Sequence, residues 1–451
     1  MHRAMARVGL AAVIGLGIHL AGAPQARAQS APAATEGGAA FPDTPAGRCA
    51  RAFIEVWNTG SLESRTAFER DFASASRLAA SDAQTRAARM ASLRDRFGEI
   101  VIERITSAPD GTVTVHTVGA GGSSLAFEFR MSADAPDRLD AVMIAAGAPG
   151  GAESITPELR AETVRGVASA MEAGYVFPEV GAAMARSLRT HLDAGAYDDA
   201  DTAGDLAMRL TRDLRAVSND GHIAVRPTLP APSAPGDDPF DAEGGLAAGN
   251  FGFRKVEILD GNIGYVRLDG FVPGAEAERT AAAAMAFVAH SDALIFDLRF
   301  NGGGSPEMIR FLTSYLFDEP THLNDMVDRE GDVVEEFWTL AEVPGTRIGP
   351  GVPVYVLTSS YTFSGAEEFS YNLQNLERAV IIGENTGGGA HPVRGERVND
   401  RFTVGVPYMR ARNPISGTNW EGTGVAPDVA TSADDALGRA QELARQATGS
   451  R

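Results

Sequence analysis

Cysteine is almost missing from this chain of 451 residues: Cys49 stands alone. A single thiol closes no internal disulfide and completes no cysteine-based metal site, so Cys49 reads as a small buried hydrophobe. The metalloprotease pattern H-E-x-x-H is also lacking, so neither a metal nor any other cofactor is expected. Positive charge is in the minority, with 40 Lys and Arg against 59 Asp and Glu and a formal net charge of −19. Such a surface repels nucleic acid and anionic lipid, which excludes nucleic acid as a partner. Beyond the first residues no segment reaches the ~18 continuous apolar residues of a membrane span, so membrane insertion is not expected.

Residues 1–28 have the layout of a secretory leader. Arg3 and Arg7 precede an apolar stretch from Val8 to Ala23, and Ala26-Arg27-Ala28 supplies the small residues of a cleavage site. The expected product is an exported, periplasmic or secreted protein, and loss of the three leader arginines makes it more acidic still. Residues 29–44 form a small-residue tether. From 45 to 147 the pattern runs from helices to four strand-like segments, 100–107, 112–118, 125–132 and 139–146, which predicts a small α+β domain curled over a pocket. His116 falls on one of these strands as a structural histidine. A helical subdomain in three pieces covers 156–227 and ends in SNDGH. The Pro-, Gly- and Asp-rich stretch 228–250 is a loop, too short for an inserted peptide-binding domain. Strands and helices then alternate over 251–435, which predicts a mostly parallel sheet with helices on its faces, and 436–451 is a C-terminal helix or tail.

In such sheets ligands bind beyond the carboxyl ends of strands, and two strand ends carry candidate chemistry. YTFSGAEEF (361–369) follows the apolar run VPVYVLT. Ser364 and Glu367 match a capping box, so Ser364 reads either as a helix cap or as a nucleophile. NGGG (301–304) follows ALIFDLR, and its glycines can present successive N–H groups as an anion nest. No Lys-Ser or Lys-Thr follows, and G-x-G-x-x-G is not met, so a phosphate cradle is disfavoured. Facing Ser364, that nest together with the Gly365 N–H would hold an acyl oxyanion. A serine nucleophile also needs a base. His191 and His290 fall on amphipathic helices and His322 in a loop, which leaves His222 and His391, both in glycine-containing loops.

TSSYTFSGAEEF, DLRFNGGG, IIGENTGGGAHP and NWEGTGVAPD, in this order, resemble the serine peptidases of the C-terminal-processing and tricorn type, in particular the branch related to interphotoreceptor retinoid-binding protein. The likeness covers roughly 157–430. It implies a crotonase/ClpP-like α/β catalytic domain, with Ser364 as nucleophile, His222 as general base and Glu421 as the acid that supports it. It also implies an oxyanion hole from Gly365, Gly302 and Gly303, and a substrate-binding stretch that includes Gly388, Gly389 and His391. The C-terminal-processing branch places a lysine base in T-F-G-K-G, where this chain reads Thr386-Gly387-Gly388-Gly389-Ala390. That excludes the lysine and leaves the histidine. Tricorn-type members place a relay serine before the histidine, where this chain has Gly221, so Glu421 reaches His222 directly, through water or through Ser218. The first domain is similar in pattern to nuclear-transport-factor-two-like cones.

Two functions follow from the resemblance. One is an exported serine peptidase acting on peptide or protein substrates; the other is a non-catalytic or weakly esterolytic protein that binds hydrophobic ligands or peptides with the same fold. The sequence specifies no oligomeric state. For the enzyme, activity is expected to rise through one ionisation near neutrality, where a histidine base loses its proton.

Overall fold

The computed structural model describes residues 40–80, 83–107, 111–119, 124–132, 135–146, 155–228, 246–247 and 249–449. The expected leader, most of the tether and most of the 228–250 loop lie outside the described residues. Helices α1 Pro45–Thr59, α2 Leu62–Phe72, α3 Ala75–Ala80 and α4 Ala83–Phe97 precede a meander of β1 Ile100–Ser107, β2 Val113–Gly119, β3 Ser124–Met131 and β4 Leu139–Ala146. The four strands form one antiparallel sheet in chain order. Thr44 caps α1 by accepting the Gly47 N–H, with Pro45 as first helical residue. The expected pocket is not hollow. Phe53, Trp57, Phe68, Phe127 and Phe129 fill the space between α1 and the sheet, and Phe53 packs on Phe129 with ring centroids 5.2 Å apart. Cys49 is buried as read from the sequence, and His116, read as a structural histidine, is buried as well. Burial pushes the Cys49 thiol up to about 12, with nearby Arg77 opposing and Glu69 adding to it, which leaves it an inert thiol.

Helices α5 Pro157–Gly174, α6 Pro178–Asp193 and α7 Ala203–Ser218 follow, then β5 Ala224–Pro227. The α/β part contains β6 Phe253–Leu259, β7 Ile263–Leu268, α8 Ala275–Val288, β8 Ala293–Asp297, α9 Pro306–Thr313, β9 His322–Val327, β10 Val333–Trp338, β11 Val354–Thr358, α10 Gly365–Asn375, β12 Val380–Gly383, β13 Val393–Arg397, β14 Phe402–Pro407, β15 Arg410–Arg412, β16 Val429–Ala430 and α11 Ala436–Thr448. Among the described residues no helix is long and apolar enough to cross a membrane.

The main sheet runs β16-β12-β11-β8-β7-β6, parallel except for the β6–β7 pair. All five β8 residues are buried because helices cover both faces. Leu294 and Phe296 join the core under α8, α9 and α10, whereas Ala293 and Ile295 join the core under α11, the alternation that a pleated strand imposes. Two small sheets flank the main one, β10-β9-β15 and β13-β14-β5. Both were missed in the sequence, and His322, read as a loop residue, opens β9.

Beneath the first turn of α10, Glu368 is buried beside Asn324 and Glu307. Burial and the Glu307 charge push its carboxyl up to about 8, with Asn324 opposing. The unfolded chain therefore ionises Glu368 first, and stability falls as pH rises from the ordinary carboxylate range toward 8. Glu368→Gln is expected to melt progressively higher relative to the parent between pH 5 and pH 8. A melting difference that stays constant over this range, followed by calorimetry, contradicts the burial account.

Candidate active site

Strands β8 and β11 are parallel neighbours, with Leu357 opposite Asp297. Their carboxyl ends therefore deliver the glycine nest and Ser364 side by side. Ser364 has φ 54 and ψ −122, a conformation a residue with a Cβ adopts at a cost of about 1–3 kcal/mol and one found mainly where function demands it. The turn between β11 and α10 is sharp, and it sets Ser364 Oγ 3.0 Å from His222 Nε2. Glu367 makes its arm of the capping box, with its carboxylate accepting the Ser364 N–H at 2.8 Å. The Glu367 N–H donates to the Ser364 carbonyl.

Asn301, whose role the sequence did not single out, brackets the nest. Its side-chain carbonyl accepts the Gly303 N–H at 2.8 Å, its amide donates to the Leu268 carbonyl, and its own carbonyl accepts the Phe363 N–H. The Gly303 N–H is thus engaged internally, which corrects its expected place among the oxyanion donors. Gly303 matters sterically instead: with φ 109, a Cβ here would lie 2.8 Å from both the Gly365 nitrogen and Ser364 Cβ. The amides of Gly302 and Gly365 donate to no group among the described residues.

His222 arrives from another part of the chain. Helix α7 ends with Asn219 in the left-handed region. Asp220 Oδ1 then accepts the His222 N–H at 2.9 Å, and Arg215 donates to the carbonyls of Gly221 and Ile223. Two residues on, β5 pairs with β14 of the α/β part, with Val225 opposite Val404. Burial pushes His222 down to about 4, with Asp220 opposing and His391 and Arg215 adding to the fall. It is therefore neutral at neutral pH, as a base must be.

Glu421 is close but does not touch His222. Its Oε2 accepts the Ala390 N–H at 2.6 Å and lies 3.4 Å from His391 Nδ1. Its Oε1 and His222 Nδ1 are both buried without a hydrogen-bond partner. One ligand atom each from Asp220, His222 and Glu421 falls within a 4.8 Å span. Ser218 donates to the Leu214 carbonyl and accepts the Asp220 N–H, so its hydroxyl is already committed. Burial pushes Glu421 up to about 7, against the pull of His391.

Three residues expected to meet substrate point inward. His391 is 3 % exposed, with Nδ1 2.7 Å from Asp220 Oδ2. The Gly388 and Gly389 amides donate to Glu367 at 2.7 and 2.8 Å. Gly389 occupies the lysine position of the alternative base, and there a Cβ would lie 2.6 Å from His222 Cε1 and 2.3 Å from the Phe363 ring. A side chain at 389 and the His222 ring therefore exclude each other.

Residues 262–431 match the model of peptidase family S41, and residues 156–247 match the family's N-terminal domain as described in eukaryotic IRBP. Over these two segments the chain belongs to peptidase family S41, a family of serine-type peptidases. It is 30 % identical over 176 residues to the chloroplastic C-terminal processing peptidase of Tetradesmus obliquus, covering 37 % of this chain and 34 % of that protein. It is 28 % identical over 175 residues to a protein named as a Tricorn-like protease C-terminal subunit from Sulfurisphaera tokodaii, covering 38 % and 19 %. The chain thus spans about a third or less of the length of these relatives. Among solved structures, the photosystem II D1 C-terminal processing protease superposes with a TM-score of 0.38 at 16 % identity, covering 62 % of this chain and 94 % of that one.

Gly389→Ala is expected to displace the His222 ring and to slow labelling of Ser364 by a fluorophosphonate about 10²-fold, the cost of a misplacement near 1 Å. Circular dichroism checks that the fold persists. Labelling at the parental rate in a folded variant overturns the steric account.

Proposed function

We propose that this chain is an exported serine peptidase that hydrolyses peptide bonds through an acyl-enzyme on Ser364. The observation that carries this reading is the 3.0 Å approach of His222 Nε2 to Ser364 Oγ, with Ser364 held in a conformation side chains avoid, beside a glycine nest. In the first step Ser364 Oγ bonds to the scissile carbonyl carbon as its proton passes to His222 Nε2. The carbonyl oxygen takes up the negative charge and lies against the Gly302 and Gly365 amides. The C–N bond then breaks as His222 returns the proton to the leaving amine, and water repeats the cycle on the ester. Glu421, through one bridging water to Nδ1, stabilises the imidazolium formed in each step. The sequence of the first 28 residues supports export, and the acidic surface suits neutral or basic peptides.

Ser364→Ala is expected to abolish peptide hydrolysis and to shift unfolding by no more than ~1–2 kcal/mol, the value of the one hydrogen bond its hydroxyl makes, to His222. Turnover that survives it ends the nucleophile assignment. His222→Ala is expected to lower kcat on the order of 10³-fold or more.

The pH profile now has a different expected origin from the one the sequence suggested. With His222 already neutral well below pH 6, the rise near neutrality belongs to Glu421. Its carboxyl loses a proton as pH climbs through about 7, and the carboxylate then stabilises the imidazolium, so activity increases with pH. Glu421→Gln is expected to remove the limb near 7. A limb that stays near 7 in this variant assigns the ionisation to His222.

A further inference from the structure

The residue one step before Gly221 has no part in the scheme above, yet it sits at the centre of the buried polar cluster. Asp220 is 1 % exposed. Its Oδ1 accepts the His222 backbone N–H at 2.9 Å and lies 3.8 Å from His222 Nδ1. Its Oδ2 accepts from His391 Nδ1 at 2.7 Å and from the Tyr175 hydroxyl at 3.1 Å. The carboxylate is therefore pinned on one edge and turned to His222 on the other. Its two anchors are themselves held. Arg329, from the turn after β9, donates to the Tyr175 and Glu172 carbonyls at the end of α5, and the Tyr175 and Phe177 rings pack edge-on against His391.

Two further facts separate this arrangement from ordinary core polarity. A buried carboxylate is costly unless its lone pairs are filled, and here the filling groups come from three chain regions, α5, the α7–β5 turn and the loop before β13. Such convergence is what a held catalytic group requires. Burial works to raise the Asp220 carboxyl, and the hydrogen bonds and electrostatic pull of His391 and His222 together hold it below the ordinary carboxylate value, so Asp220 is an anion. A fixed negative charge thus stands behind the ring that becomes cationic during the reaction.

We infer that Asp220 is a positioning residue for the base: clamped by His391 and Tyr175, it holds the His222 turn against Ser364, and His391 anchors this carboxylate instead of touching substrate. The inference rests on the assignment of Ser364 and His222. It gives two imidazoles opposite roles around one carboxylate, His222 as the reacting ring and His391 as its counterweight. Glu421 stays with His222 Nδ1 through water, and Asp220 fixes the ring from the backbone side.

The groups facing His222 and Glu421 in this cluster are Asp220, His391, Arg215, Glu367 and Tyr175. Asp220 raises both His222 and Glu421; His391 lowers both. Replacing one or the other residue therefore moves the acid limb of kcat/KM in opposite directions. Asp220→Asn is expected to shift that limb to lower pH and to reduce kcat about 10²-fold with KM within about twofold, in the range of losses seen when an outer partner of a reacting group is removed. His391→Asn keeps a donor for Asp220 and is expected to shift the limb to higher pH with a kcat loss of about 10-fold or less. A merely structural role moves stability and not the limb. Limbs unmoved in both variants, or an effect of His391→Asn confined to KM, overturn the inference. If Asp220→Asn fails to fold, the limb of His391→Asn decides alone. Ser364→Ala, assayed alongside, separates the two levels: residual turnover there rejects the nucleophile, whereas a dead Ser364→Ala with unmoved limbs rejects only the role of Asp220.

Discussion

The Glu367 carboxylate accepts the Ser364 N–H, the Gly388 and Gly389 amides and the Thr386 hydroxyl at 2.5–2.8 Å. It is wholly buried, and burial pushes it up to about 7 despite these donors. The rest of the site depends on this one group. It fixes the start of α10, and so Ser364, to the 386–390 loop, whose Gly389 forms the wall against which the His222 ring rests. Without its donors a carboxylate at this depth would be untenable. Without the carboxylate, two glycine amides would be orphaned in the interior.

The second constraint is the pairing of β5 with β14. His222 is 142 positions from Ser364, and closing a loop of that size costs entropy that local contacts cannot repay. The repayment comes from a shared core. Phe402, Val404 and Val406 of β14 pack with Val164, Met171, Leu206 and Leu214 of the helical subdomain. The subdomain is thus a platform that presents one turn, SNDGH, to the strand ends of the sheet. The sheet carries Ser364 and the glycine nest, and His222 comes from the platform, the segment that matches the family's N-terminal domain.

Much of the framework is legible in the sequence because the signals are local. The four strands of the first sheet, the breaks between α5, α6 and α7, and the helices after NGGG and after Ser364 follow from periodicity, capping residues and glycine turns. The small sheets β10-β9-β15 and β13-β14-β5 do not. Their strands are short and carry charged residues such as Asp325, Glu335, Glu336, Arg394 and Glu396, and each sheet is a hairpin completed by one strand from a distant part of the chain, β15 on β9 and β5 on β14. The first domain shows the same limit in another form. Its strand pattern is cone-like, but only side-chain volume decides whether a cone is hollow, and here five aromatic rings fill it.

At the site, the sequence by itself determined which chemistry is available: a serine at a strand-to-helix turn, glycines at the neighbouring strand end, histidines in two loops, and no lysine at position 389. These are properties of residue identity and short spacing. Only the tertiary structure decided how they are used. It set His222 and not His391 against Ser364, spent the Gly303, Gly388 and Gly389 amides on Asn301 and Glu367, and gave Asp220 two imidazole neighbours. The physical reason is that a hydrogen bond depends on tenths of an ångström and on which donors remain unpaired once the interior closes. Neither quantity is written in residue order.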